Sequence, residues 1–105
     1  MAISNSAVLA SNTVIYTSSG NNAITTVIFC NTGVTDRTLT MYAVANSTGS
    51  IGTPGTGNMI VNTLTIPAGE TVSFDQEKLV LANNDTLVAI GSGTGITATV
   101  STLPV

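Results

Sequence analysis

From Leu79 to Thr102 the chain is a succession of short apolar runs, each closed by a cluster of turn residues. Leu79-Val80-Leu81-Ala82 gives way to Asn83-Asn84-Asp85, and Thr86-Leu87-Val88-Ala89-Ile90 gives way to Gly91-Ser92-Gly93-Thr94-Gly95. The last run alternates, with Ile96, Ala98 and Val100 on one side and Thr97, Thr99 and Ser101 on the other. Successive side chains of a strand point to opposite faces, so this run is a strand with one dry and one wet face. Thr86 to Ile90 is apolar on both sides, as in a strand covered twice. The glycine-rich turn between these two runs reads as a hairpin connection. A lone strand pair is unstable, so the remaining chain must supply a second layer.

The rest of the sequence repeats the pattern. Thr13 to Thr17 is a strand candidate, and Ala23 to Cys30 follows, with Val27-Ile28-Phe29-Cys30 apolar on both faces and therefore central. In Arg37 to Ala45, Leu39, Met41 and Ala43 oppose Thr38, Thr40 and Tyr42. Asn46 to Asn58 is a long irregular loop, of the length that is usually functional or mobile. Met59 to Ile66 and Glu70 to Asp75 flank Pro67-Ala68-Gly69, a tight-turn signal, with Leu64, Ile66, Val72 and Phe74 facing inward. Asp75 to Lys78 has helical propensity but spans a single turn. The pattern predicts an all-β protein: an antiparallel β-sandwich, jelly-roll or Ig-like, with roughly seven to nine short strands and no substantial helix. Residues 1–11 read as an N-terminal arm or edge strand, and residues 12–105 as a single β-sandwich domain.

Charge is scarce: 7% of residues are ionisable Asp, Glu, Lys or Arg, with a net charge of −3, against about 25% in average soluble proteins. Charged side chains are the usual deterrent to strand edges pairing between molecules, and here there are few. Much of the nominal surface is therefore expected to be covered by other subunits. Arg37 and Lys78 alone cannot form a phosphate-neutralising footprint, which excludes nucleic acid as a partner. Met1 to Ala10 lacks the basic start and apolar core of a secretion signal. No segment approaches the ~20 apolar residues of a membrane helix. The single cysteine, Cys30, precludes an internal disulfide and fits a reducing compartment; beside Ile28 and Phe29 it reads as buried and inert.

The chemistry available is narrow. Without histidine, Ser-His-Asp and Cys-His nucleophiles are excluded, and one cysteine leaves zinc without ligands. Asp36, Glu70, Asp75, Glu77 and Asp85 are the carboxylates; Glu70 and Asp85 read as turn supports, and Asp75 and Glu77 as solvated. Asn83-Asn84-Asp85 has oxygen ligands for calcium, but Asn and Asp bonding their own backbone in a turn is the better reading. Gly91 to Gly95 has no lysine and no following helix, so it is not a phosphate loop. The expectation is no catalytic residue, no cofactor, no metal and no small-molecule substrate.

The order of features carries a resemblance. Val14-Ile15-Tyr16 precedes Phe29-Cys30-Asn31-Thr32, then Arg37-Thr38-Leu39-Thr40-Met41 and a Gly-rich loop. Ile66-Pro67-Ala68-Gly69-Glu70-Thr71, Lys78-Leu79-Val80-Leu81 and Asn84-Asp85-Thr86-Leu87 lead to the final Ile/Val-Thr strand. Over about residues 12–102 this resembles the small β-sandwich virion proteins of tailed bacteriophages. The resemblance implies a non-enzymatic virion subunit assembled in the host bacterial cytoplasm, first of all a capsid decoration or cement protein. It implies the major capsid protein or other virion proteins as partners, and a homo-oligomer, with a trimer favoured. A tail, neck or fibre component and a carbohydrate- or receptor-binding module are the alternatives. The candidate partner contacts are apolar residues of the two irregular segments: Ile3, Val8 and Leu9 in the arm, and Ile51, Pro54 and Met59 in or beside the loop.

Overall fold

The computed structural model describes residues 2–48, 50, 52–74 and 79–105. Nine strands run through it: β1 (Ala2–Val8), β2 (Thr13–Thr17), β3 (Asn22–Asn31), β4 (Arg37–Val44), β5 (Met59–Ile66), β6 (Thr71–Phe74), β7 (Leu79–Leu81), β8 (Thr86–Gly91) and β9 (Ile96–Pro104). The helical element among the described residues is a single 3₁₀ turn, Thr56–Asn58. The expected turn at Asp75–Lys78 and the candidate contact Ile51 lie outside the described residues.

All strand pairs are antiparallel. One sheet has the order β1-β9-β3, with β6 and β7 end to end along β3, and the other has the order β2-β8-β4-β5. The pairings β1–β9, β2–β8, β3–β6/β7 and β4–β5 are nested, as when one long hairpin is rolled into two layers. Of the two sandwiches compatible with the sequence, this is the jelly roll.

The inner faces make the core. Phe29, Leu39, Ile66, Leu87, Ile96 and Val100 are fully buried within it, and each such side chain stabilises the fold by about 1.5–3 kcal/mol relative to exposure. Phe74 meets Phe29 edge-on, ring centroids 6.1 Å apart at 77°, a favoured geometry for aromatic quadrupoles. Ile66 is buried as its pattern predicted, Val72 and Phe74 pack against the core, and Leu64 is half-buried.

Two expectations change. The Gly91–Gly95 turn does not make a hairpin, because β8 and β9 lie in different sheets. It is a crossover, held by Gly91 N–H to the Leu9 carbonyl and by Thr32 N–H to the Gly95 carbonyl, each near 2.9 Å. The Pro67-Ala68-Gly69 turn is likewise a corner between sheets: Glu70 N–H donates to the Pro67 carbonyl at 3.0 Å, with Gly69 at φ +76°, as a type II turn requires. Second, Cys30 is half-exposed rather than buried. β3 alternates, and Cys30 lies on its outer side between Thr97 of β9 and Thr71 of β6.

β8 is dry on both sides, for an unexpected reason. Its outward residues Thr86 and Val88, with Val44 beside them on β4, are buried although the described strands form two layers with this face outward. After β4 the chain returns to lie against Val44, where Gly52 comes so close that a Cβ there would lie 2.4 Å from the Ala45 carbonyl oxygen and 2.9 Å from Val44.

Candidate interaction surfaces

The described apolar residues among those expected to touch partners do not form one surface. Ile3 stands outward on β1, 67% exposed, and Leu9 is exposed just beyond the strand. Val14 on β2 is exposed on the same side of the sandwich, where β1 and β2 pack edge against edge. Val8 is 1% exposed and belongs to the chain's own core. Pro54 and Met59 are half-buried on the β4–β5 side, with Met59 opposite Tyr42. Exposed residues outside the expected set include Val34, Val80, Leu103 and Val105.

Charge is distributed unevenly in space. None of the described strands of the five-stranded sheet carries an Asp, Glu, Lys or Arg. Its outer face presents Asn5, Ala7, Ile28, Thr71, Ser73, Thr97 and Thr99, neutral throughout. Two contacts stitch that face: Thr99 Oγ1 donates to Asn5 Oδ1 at 3.0 Å, and Thr25 Oγ1 donates to Ser101 Oγ at 2.9 Å.

Three of the described charges, Asp36, Arg37 and Asp85, sit at corners instead, each with a structural task. The Asp36 carboxylate accepts the Ala68 N–H at 3.0 Å. Arg37 Nε donates to the Thr94 carbonyl at 3.1 Å, with its guanidinium laid over Gly93. Asp85 accepts from the Asn46 N–H at 2.8 Å, the Asn46 side-chain amide at 3.0 Å and the Ala82 N–H at 2.8 Å. The Asn46 backbone bond is the chief reason that its carboxyl titrates below the ordinary Asp range; partial burial opposes the shift, and the bonds from Ala82 and the Asn46 amide add to it. Asn83 and Asn84 complete a turn, with Asn84 at φ +68° and its N–H on the Ser18 carbonyl. The trio read as a turn is one.

On the side away from β1 and β2 the sandwich gapes. Met41, Ile60, Val61, Phe74 and Leu79 line an open apolar hollow of about 290 Å³ between β5 and β6–β7. The inward pattern of Phe74 and Met41 was legible in the sequence, but the parting of two strand edges has no local signal. The described residues contain no group of three His, Cys, Asp or Glu placed to hold a metal ion.

The chain contains no histidine, and Asp36 and Asp85 are engaged at separate corners of the jelly roll. No family model matches it, and no curated protein does. A solved structure described as "Bacillus endospore appendages form a novel family of disulfide-linked pili" matches with a TM-score of 0.48 and 16% identity, over 94% of this chain and 80% of that one. At that distance the likeness says nothing of what this protein does. The resemblance to phage virion proteins finds no support there, because the structure matched is described as a bacterial appendage and not as a phage particle. The capsid-decoration role, the viral partners and the virion location implied by that resemblance fall with it.

Proposed function

We propose that this protein is a non-enzymatic structural subunit, which builds a larger oligomeric or filamentous assembly with identical or related subunits. The observation that carries the reading is the charge-free five-stranded sheet, bordered by free edges and dotted with exposed Ile3, Val80 and Leu103. A monomer ordinarily protects such edges with charge. Added interface area, repeated by symmetry, is what a rigid sandwich of this kind contributes to an assembly. The structure matched is described as a disulfide-linked pilus, and the present sequence with its one cysteine differs there, since one thiol joins two copies and cannot continue a covalent chain. Sedimentation velocity over a hundredfold range of concentration, with electron microscopy of the same samples, tests the reading. Growth into discrete or filamentous oligomers supports it; a monomer at every concentration refutes it.

A further inference from the structure

Four strand edges border the sandwich, and three of them are irregular. β2 bulges between Val14 and Tyr16. β5 shifts register twice against β4 and carries Thr63 at φ +56°. The fourth side of the five-stranded sheet is divided between β6 and β7, of four and three residues. Bulges, short pieces, prolines and charges are the devices by which sheets avoid joining one another.

β1 has none of them. It pairs with β9 residue by residue from Ala2–Thr102 to Val8–Ile96 without a shift. Its seven residues include no proline, no glycine and no charge. Among the described residues no strand of its own sheet lies on its far side, although β2 of the other sheet packs near that edge, so its outward backbone N–H and C=O groups have no sheet partner.

We propose that β1 pairs antiparallel with β1 of a second copy of this chain, about a two-fold axis at Asn5. The proposal rests on the reading of the protein as a self-assembling subunit and names the contact. A regular strand edge is complementary to itself under two-fold rotation, because every second residue, the one whose N–H and C=O point outward, exchanges a pair of bonds with its opposite. Full overlap of Ala2–Val8 sets Ile3 of one copy opposite Ala7 of the other. The two Asn5 side chains then stand face to face on the outer surface. No like charges meet, since neither β1 nor its neighbours β9 and β3 carries any. The two neutral outer faces become one, and the exposed Ile3 gains an apolar neighbour.

Directly opposed residues in such a pair lie about 4.5–5.5 Å apart at Cα, within the span of a disulfide. In a Cys30→Ser background, Asn5→Cys should therefore oxidise to a covalent dimer, and Thr65→Cys, exposed on irregular β5, serves as the control. Pairing raises the local thiol concentration toward millimolar, so Asn5→Cys should cross-link roughly tenfold faster or more. In the unmodified protein, amides of β1 should exchange more slowly as concentration rises, at alternate residues. An assembly that forms with neither the disulfide nor this protection overturns the β1 contact and leaves the subunit reading standing. A monomer at every concentration overturns both.

Discussion

The carboxylate of Asp85 holds Asn46 twice, taking its backbone N–H at 2.8 Å and its side-chain amide at 3.0 Å on the same oxygen, Oδ1. The other oxygen takes the Ala82 N–H at 2.8 Å. One side chain thus ties the end of β4 to the corner between β7 and β8. Asp85→Asn places an amide N–H against one of these donors. It should lower stability by about 1–3 kcal/mol, the cost of disrupting hydrogen bonds to a charged group, as read from urea unfolding at neutral pH.

The same clamp gives a pH dependence. Its folded-state pKa lies below the ordinary Asp value of 3.8. The stabilisation it supplies is therefore complete above that ordinary value and is lost as pH falls through the lower folded-state value. The melting temperature of the native protein should decline below about pH 4. Asp85→Asn should show a shallower decline, and parallel curves for the two proteins would contradict this account.

Thr86 is fully buried, and its hydroxyl finds no hydrogen-bond partner among the described residues. Thr86→Val keeps the shape and removes the unsatisfied group. The variant should be as stable as the parent or more so, by up to about 1–2 kcal/mol, with a higher melting temperature by calorimetry.

Gly52 lies against the Ala45 carbonyl, and the space for a Cβ is already taken by backbone. Gly52→Ala should displace the segment that lies against Val44, at a cost of about 1–3 kcal/mol for overpacking. Limited proteolysis should then cut first within residues 45–58, before the sandwich itself unfolds.

Asn31 is buried with its polar atoms engaged: Nδ2 donates to the Thr35 carbonyl at 2.9 Å and the Ile66 carbonyl at 3.0 Å, and Oδ1 accepts the Gly33 N–H at 3.1 Å. Asn31→Leu fills a similar volume but leaves these groups without partners. The loss should be about 1–3 kcal/mol for each group that stays buried, measured as a shift in the unfolding midpoint.

Where one sheet face is wet and the other dry, the sequence was an accurate guide. Ile96, Ala98 and Val100 are buried, and Thr97 between them is exposed. Where the wet face carries no charge, it misled. Ile28 and Cys30 are half-exposed on a neutral surface, and from composition a bare neutral face looks like a covered one. Turn residues at Gly91–Gly95 and Pro67–Gly69 announced a reversal without saying that the chain changes sheets there, because that depends on distant partners such as Leu9 and Asn31. The surfaces were the least legible. Val8 shares its strand with Ile3 yet points into the core, and the hollow at Met41 and Phe74 exists through the spacing of two edges.

The nested pairing sets an order of events during synthesis. β9 is the middle strand that joins β1 to β3, with Ala2 against Thr102 and Asn22 against Pro104. Until those late residues leave the ribosome, β1 has no partner in its sheet, and both of its edges and one edge of β3 are open to other chains. Pairings between such distant positions close slowly. β1 is thus open to misassociation until β9 has been made, and a cell producing the chain in quantity would need to shield that strand while everything between the two is synthesised.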